Sequence, residues 1–266
     1  MNRVACVLPI AMLLVTWHAI PRAGAVQECF VAGRVDDPQP AVSDQPECRR
    51  KSSPASTFKI PHALIALQTG VVRADTTYPW NGTRYDYETW QRDHTLESAI
   101  KYSVYPFFQE TARLIGRERM RHQLKAIGYG SDRFDGALTT FWVNGDLEIS
   151  PLEQFEFLQR LFSGRIPVDP QHVATIERAL RMPPGQILNA AGVHPFPLAG
   201  PAGSVLRAKT GNTRLKGERV SWLVGALDVE GLDYVFAARA RSSAPLPGTA
   251  GAEVARRGLN GLVRER

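Results

Sequence analysis

Residues 54–60 read Pro-Ala-Ser-Thr-Phe-Lys-Ile, and they begin the segment that decides the fold of this chain. Apolar residues recur at intervals of three and four after Lys59, and Gly70 ends the pattern, which predicts a helix. These apolar positions are Ile60, Ala63, Leu64 and Leu67. Ser56 is predicted in the first turn of that helix, where backbone amides lack partners within the helix and favour negative charge. Lys59 follows three residues later and therefore projects from the same face.

A serine and a lysine at this spacing can act as a nucleophile and its base. A serine hydroxyl is a weak nucleophile until a base takes its proton, and a desolvated lysine amine can take it. The pattern is short, however. By itself it is far more often a capping serine followed by a surface lysine.

Lys209-Thr210-Gly211 supplies a second, independent signal. Segments 203–211 and 219–228 are predicted as strands joined by a glycine-containing turn, so the triplet ends the first of them. Its cation and hydroxyl suit a substrate carboxylate, and its glycine lets a substrate come close to the backbone. Ser-x-x-Lys combined with Lys-Thr-Gly is the pattern of penicillin-recognising serine enzymes.

The residues between these two motifs match a family as well. Together with the motifs, they make the chain resemble the class D (oxacillinase-type) serine β-lactamases. The pair Phe141-Trp142 distinguishes class D from the other serine β-lactamase classes, which do not share it in this setting. The resemblance covers nearly the whole chain after the N-terminal segment. It is carried by Pro54–Ile60, Trp80-Asn81-Gly82, Trp90, Arg92-Asp93, Leu96–Ser103, Pro106, Ala112-Arg113, Gly116, Tyr129-Gly130, Phe141-Trp142, Ile149-Ser150-Pro151, Glu153-Gln154 and Lys209-Thr210-Gly211.

The resemblance implies the chemistry of the site. Ser56 is the nucleophile, and its backbone N–H forms the oxyanion hole with that of Asn212. Lys59 is carbamylated by carbon dioxide to N6-carboxylysine, which acts as the general base. Trp142 holds this carbamate through its indole N–H, which can only donate; the other interpretation of Trp142 is an ordinary core aromatic. No cofactor is expected apart from the carbon dioxide or bicarbonate that carbamylation needs.

The resemblance also assigns substrate contacts. Ser103 bridges the base and Lys209 in a proton relay to the leaving nitrogen. Lys209 and Thr210, with Gly211, are implied to bind the carboxylate of penicillins and cephalosporins. Tyr129-Gly130 matches a loop motif of the family.

Several positions depart from the family pattern. Tyr105 stands where valine is usual and is expected to bring its ring close to the base and the substrate. Val143 replaces a leucine and Ser131 an asparagine. The arginine usual at the start of the last helix is absent, and Thr249-Ala250-Gly251-Ala252 stands there. The candidates to replace it are Arg214, Arg219, Arg239 and Arg241.

The N-terminus predicts export. Residues 1–25 contain basic Arg3, an apolar run from Val4 to Val15 and the small residues Ala23-Gly24-Ala25, which is the pattern of a cleaved signal peptide. An uncleaved anchor is the alternative, but the run is shorter than the roughly 20 residues that span a bilayer. We therefore expect a periplasmic product, residues 26–266, forming a single catalytic domain.

Charge and cysteines narrow the function classes further. The net charge of +6 is spread along the chain without a basic stripe, so neither nucleic acid nor a membrane is an expected partner. Cys29 and Cys48 remain after signal removal, and in an exported chain they predict a disulfide, with two free thiols as the alternative. The five remaining histidines show no metal-ligand spacing, so no metal is expected.

The predicted fold class is α/β (α+β), an antiparallel sheet flanked by helices plus an all-helical lobe. Strands are expected near Cys29–Gly33 and over 203–211, 219–228 and 233–241, with helices through about 75–185 and from about 250 to 264. A capped helix begins at Ser150-Pro151. The active site is expected in the cleft between the lobes.

The predicted function is hydrolysis of β-lactam antibiotics by a monomer or homodimer. The alternatives are a penicillin-binding sensor domain, a D,D-peptidase that acylates with little β-lactam turnover, and a non-catalytic exported binding module. Steady hydrolysis would exclude the sensor, and release of D-alanine from a peptide would identify the peptidase. The substrate spectrum does not follow from the motifs.

Overall fold

A computed structural model describes residues 24–37, 39–131 and 134–264. The predicted signal peptide lies, except for Gly24 and Ala25, outside these residues. No helix within the described ranges is long and apolar enough to cross a membrane. The strands are β1 Gln27–Arg34, β2 Ala41–Val42, β3 Thr77–Tyr78, β4 His94–Thr95, β5 Gln186–Asn189, β6 Gly192–Pro195, β7 Val205–Leu215, β8 Glu218–Val229 and β9 Leu232–Ser242. The helices are α1 Gln45–Arg49, α2 Lys59–Gln68, α3 Leu96–Lys101, α4 Tyr105–Ile115, α5 Arg117–Ile127, α6 Pro151–Phe162, α7 Pro170–Leu180 and α8 Ala250–Arg264.

A five-stranded antiparallel sheet forms the frame, with the strand order β2-β1-β9-β8-β7. Helices cover both of its faces. In β1, Phe30 lies against α8 at Gly258, whereas Gly33 lies against Phe155 of α6. Residues three apart in a strand point to opposite faces, so α6 and α8 lie on opposite sides of the sheet. The predicted fold class, an antiparallel sheet with flanking helices and a helical lobe, is confirmed.

The two core clusters follow this division. One joins α2 to the helical lobe and the α6 side of the sheet, and the other lies between the sheet and α8. Every residue of α2 from Lys59 to Leu67 is buried, which makes it the central helix of the larger cluster. A polar residue on this helix is therefore held in apolar surroundings.

Helix α6 begins as the sequence predicts. Ser150 accepts a hydrogen bond from the backbone N–H of Glu153, and the Glu153 carboxylate accepts one from the backbone N–H of Ser150. These reciprocal bonds satisfy two amides that have no partner within the helix.

The last helix is drawn unusually close to the sheet at its start. A Cβ at Gly251 would lie 2.5 Å from the backbone oxygen of Ser221, so only glycine fits there. Ser221 Oγ also donates to the carbonyl of Gly248 at 3.0 Å. The segment that precedes α8 is thereby fixed beside the β7–β8 edge of the sheet.

A disulfide joins Cys29 in β1 to Cys48 in α1, with 5.2 Å between their Cα atoms. Both cysteines are fully buried. The bridge closes the loop that carries β2 and holds α1 against the sheet.

Strand β7 and the β5–β6 hairpin differ from the sequence prediction. Strand β7 continues four residues beyond Gly211, to Leu215, where the Lys216-Gly217 turn begins. The hairpin of β5 and β6 was not predicted, because its four-residue strands are only partly buried and lack a clear alternation of apolar residues.

Candidate active site

Ser56 lies in a 3₁₀ turn over Ala55–Phe58, and α2 begins only at Lys59. The prediction that Ser56 belongs to the first α-helical turn is therefore wrong by a few residues. The reason is that Thr57 binds the carbonyl of Pro54 twice, through its backbone N–H at 3.1 Å and its hydroxyl at 2.7 Å. That carbonyl is used at the shorter spacing of a 3₁₀ turn.

The Ser56 hydroxyl and the Lys59 amine are in contact. Lys59 Nζ lies 3.0 Å from Ser56 Oγ. The Lys59 side chain has no exposed surface, and its Nζ lies 5.2 Å and 5.8 Å from the ring centroids of Phe108 and Tyr105. Burial lowers the pKa of Lys59 to about 7, because the ammonium form loses its hydration. A large share of the amine is thus neutral near pH 7 and able to accept a proton.

A second lysine reaches the same site from the sheet. Lys209 Nζ donates to Ser103 Oγ at 2.5 Å and to the carbonyl of Thr210 at 3.1 Å. Burial, followed by the charge of Lys59, lowers the pKa of Lys209 well below its ordinary value. Ser103 has a φ of +54°, a conformation that costs energy for a residue with a Cβ and directs its hydroxyl to Lys209. The predicted pair of Ser103 and Lys209 is in hydrogen-bond contact.

Strand β7 touches the turn that carries Ser56, and Gly211 is the point of contact. A Cβ at Gly211 would lie 2.9 Å from both the Pro54 oxygen and Thr57 Cγ2, and 3.1 Å from the Thr57 nitrogen. The glycine thus brings Asn212, the next residue, to the same cleft as Ser56. An oxyanion hole built from the amides of Ser56 and Asn212 would need both residues at one cleft.

The variant Gly211→Ala should lower kcat/KM for a β-lactam by about a hundredfold, since an added methyl group pushes β7 away from the Ser56 turn and misaligns the donors. Steady-state kinetics and thermal unfolding of the variant measure this effect. The control is Gly217→Ala, because nothing lies within 4 Å of a Cβ at Gly217 although its φ is +82°. Equal losses of activity in the two variants would contradict a specific role for the close approach at Gly211.

Trp142 packs against residues that neighbour Lys59. It is fully buried, stacks on Phe58 with 5.7 Å between centroids, and meets Tyr105 edge-on at 5.8 Å. Among the residues that the structure describes, its indole Nε1–H has no hydrogen-bond partner. A buried indole N–H ordinarily has an acceptor, so this donor marks a place for one.

His62, one helical turn after Lys59, is a site residue that the sequence analysis missed. It is fully buried, contacts Trp142 edge-on at 5.3 Å, and its Nε2 lies 3.1 Å from Thr111 Oγ1. Burial, and then the charge of Lys59, lowers the pKa of His62 to about 3. The ring is therefore neutral at working pH and supports Trp142 without adding charge beside Lys59. Its position at i+3 from Lys59 was the available signal.

Tyr105 lies where the sequence predicts, at the start of α4 beside the base. Its hydroxyl donates to the carbonyl of Thr139 at 3.1 Å, which holds the ring over Lys59 and Trp142. Tyr129, by contrast, is buried beneath the Ser56 turn, where its hydroxyl donates to Gln154 Oε1 at 3.3 Å. Gln154 donates in turn to Thr57 Oγ1 at 2.6 Å, so this loop supports the turn from behind.

Several of these residues line one cleft of about 470 Å³. One wall comes from Tyr87 and Trp90 and from the β5–β6 hairpin, none of which the sequence analysis assigned to substrate. The Thr89 hydroxyl donates to the carbonyl of Ala190 at 2.5 Å and ties the hairpin to that wall. The cleft is lined by Ser56, Tyr87, Trp90, Ser103, Tyr105, Val143, Asn189, Ala190, Ala191, His194, Thr210, Gly211, Asn212, Gly248 and Thr249.

Two of the four arginines predicted as carboxylate ligands are already engaged. Arg239 is fully buried and donates to Glu47 Oε1 at 2.5 Å and to the carbonyl of Arg50 at 2.6 Å. Arg241 donates to Glu47 Oε2 at 2.7 Å and to Glu218 Oε1 at 2.5 Å. These two side chains brace α1 against β9, so they are not candidates for substrate binding.

Comparison with known proteins identifies the family of this chain. Residues 32–260 match the family described as penicillin binding protein transpeptidase domain. The chain is 32% identical over 226 residues to the β-lactamase OXA-10 of Pseudomonas aeruginosa, covering 84% of this chain and 79% of that protein. The chain belongs to the class D serine β-lactamase family.

Further relatives agree with this assignment. The β-lactamase OXA-48 of Klebsiella pneumoniae is 37% identical over 186 residues, covering 69% of this chain and 64% of OXA-48. The solved structure of BPu1 β-lactamase has a TM-score of 0.76 at 31% identity, covering 89% of this chain and 92% of that chain.

The same fold also occurs in a receptor. The C-terminal domain of the Bacillus licheniformis BlaR penicillin receptor has a TM-score of 0.78 at 27% identity, covering 89% of this chain and 90% of that chain. A class D fold alone therefore does not distinguish an enzyme from a receptor. The distinction depends on the chemistry of the residues around Ser56.

Proposed function

We propose that this protein hydrolyses the β-lactam amide of penicillin- and cephalosporin-type antibiotics through an acyl-enzyme on Ser56. The observation that carries the proposal is the 3.0 Å contact between Ser56 Oγ, which lines the cleft, and the buried Lys59 Nζ. A nucleophile beside a base of pKa about 7 is equipped for acyl transfer at neutral pH.

The acylation step follows from the positions of these residues. Ser56 Oγ attacks the lactam carbonyl carbon and loses its proton to the base, and the backbone N–H groups of Ser56 and Asn212 stabilise the oxyanion. The carbonyl–nitrogen bond of the lactam then breaks. Ser103 protonates the leaving nitrogen, and Lys209, 2.5 Å from Ser103 Oγ, restores the proton.

The surroundings of Lys59 fit a carbamate. A neutral amine adds carbon dioxide to give a carbamate anion and one proton, and the low pKa of Lys59 provides that neutral amine. The Nε1–H of Trp142, which has no hydrogen-bond partner in the described part of the chain, is a suitable donor for the anion. This group, when formed, supplies the general base for acylation and for the water that releases the product.

The proposal includes a periplasmic location and a role in antibiotic resistance. The predicted signal peptide would place the enzyme in the periplasm, where hydrolysis of a small-molecule β-lactam gives antibiotic resistance. Within the described ranges the cleft is bordered by aromatic and small polar side chains. That lining suits a small amphipathic substrate better than a polymer.

The experiment that tests the proposal is steady-state hydrolysis of a chromogenic cephalosporin, with D-alanine release from a peptide measured in parallel. We expect many turnovers per enzyme and no peptide hydrolysis. A single stoichiometric burst with a stable acyl-enzyme would indicate a receptor instead. Release of D-alanine faster than β-lactam hydrolysis would indicate a D,D-peptidase.

A further inference from the structure

A second pocket of about 270 Å³ adjoins the catalytic cleft at the far end of β7. It is bordered by Arg214 and Arg219 and by the segment that precedes α8. Asn212 and Gly248 line both this pocket and the catalytic cleft, so the two spaces are neighbours. The two arginines therefore border a space next to the cleft that Ser56 lines.

The two arginines form an unfavourable pair in the free protein. Arg214 lies directly opposite Arg219 in the antiparallel β7–β8 ladder. Like charges at directly opposite positions destabilise a sheet. Within the described part of the chain neither side chain has a hydrogen bond or an ion pair, and the adjacent Glu218 is bound to Arg241. An anion from outside the chain would therefore relieve the repulsion.

The direction of the strand supports this assignment. Asn212 and Arg214 are two residues apart, so their side chains project from the same face of β7. That face is the one toward α8, because Ser221, opposite Asn212, donates to the carbonyl of Gly248. Two residues of strand measure about 7 Å, a distance that an arginine side chain can span.

We propose that Arg214 and Arg219 bind the carboxylate of the substrate, beside Thr210 and Asn212. The assignment rests on the proposed β-lactam hydrolysis and deepens it. Of the four candidate arginines, Arg239 and Arg241 are held by Glu47, whereas the Arg214–Arg219 pair borders the pocket that adjoins the cleft. A guanidinium fork matches a carboxylate in shape and charge, and two forks on one face can grip it from two sides.

The experiment compares benzylpenicillin with its methyl ester, which lacks the negative charge. At low ionic strength, the double variant Arg214→Gln with Arg219→Gln should raise KM for the acid about tenfold and leave KM for the ester unchanged. Arg214→Lys with Arg219→Lys should raise KM for the acid less than the glutamine variant does, because it keeps the charge and loses only the guanidinium fork. Sulfate should compete with the acid in the wild type only.

A matched control removes the same charge from a distant surface. Arg256→Gln with Arg257→Gln on α8 replaces two arginines that pair with Glu253 and Glu28, and we expect it to leave KM unchanged. The melting temperature of the Arg214/Arg219 variant should not fall, because a repulsive pair is removed.

The outcomes separate the two proposals. If the wild type turns over penicillin but the Arg214/Arg219 variant has an unchanged KM, or loses affinity equally for acid and ester, the carboxylate assignment is wrong. If sulfate inhibits acid and ester alike, the pair binds a free inorganic anion and the assignment is again wrong. If the wild type neither turns over penicillin nor acylates, the proposed function itself fails.

Discussion

Replacement of Ser56 by alanine is expected to abolish β-lactam turnover, lowering kcat by about 10⁴-fold or more. The variant loses the only hydroxyl in contact with Lys59 Nζ in the described part of the chain, and a methyl group cannot form the acyl-enzyme. Substrate affinity should change little, because Lys209, Thr210 and the cleft walls remain. Calorimetry with intact penicillin measures the affinity, and stopped-flow absorbance measures the turnover.

The control for this variant is Ser243→Ala, which changes an exposed serine and should retain wild-type kinetics. Mass spectrometry of the wild type, quenched during hydrolysis of a slow substrate, should show one adduct located on Ser56. Full activity of Ser56→Ala, or an adduct on another residue, would contradict the serine mechanism.

The sequence predicted the parts of this site that short local patterns encode. The spacing of Ser56 and Lys59 along one helix face is such a pattern, and so is the capping box of Ser150 and Glu153. The strand that carries Lys209 was recognised because its partner strands follow it directly and are rich in apolar residues. Local chemistry was enough for these elements.

Other parts depend on contacts between distant segments, which no local pattern reports. The Ser56 turn is 3₁₀ because Thr57 takes the Pro54 carbonyl and is itself held by Gln154, almost a hundred residues away in sequence. His62 was passed over because its importance comes from contacts with Trp142 and Thr111. A buried side chain acquires its role from the residues that enclose it.

The arginines illustrate the same limit at the level of charge. Sequence alone offered four candidates near one end of the sheet. Only their partners in the folded protein separate the engaged arginines from the available ones, because Glu47 of α1 binds both Arg239 and Arg241. The remaining Arg214–Arg219 pair is conspicuous because its register places like charges opposite each other.

Lys59→Ala is the second change with a large expected effect. General acid–base catalysis contributes about 10²–10⁴-fold, so kcat should fall by that amount, with deacylation affected at least as much as acylation. The acyl-enzyme should then accumulate on Ser56 even with a rapidly hydrolysed substrate, for which we expect little acyl-enzyme in the wild type at steady state. Intact-protein mass spectrometry detects it, and the exposed Lys216→Ala is the matched control.

The pH and bicarbonate dependence identifies the form of the base. The pKa of Lys59, about 7, lies below the ordinary lysine value, so the neutral amine dominates above pH 7 and the ammonium below it. At pH 6 only about a tenth of the amine is neutral. The rate of carbamylation at limiting carbon dioxide should therefore fall about fivefold from pH 7 to pH 6 and about tenfold for each further pH unit, and added bicarbonate should restore the activity.

Removal of dissolved carbon dioxide should give biphasic progress curves, because the carbamate forms reversibly. Trp142→Phe removes the unpartnered indole donor and should raise the bicarbonate concentration that gives half-maximal activity. Carbon-13 NMR after labelled bicarbonate should show one carbamate signal that disappears in Lys59→Ala. A fully active wild type with no such signal would show instead that the free amine of Lys59, 3.0 Å from Ser56 Oγ, is itself the base.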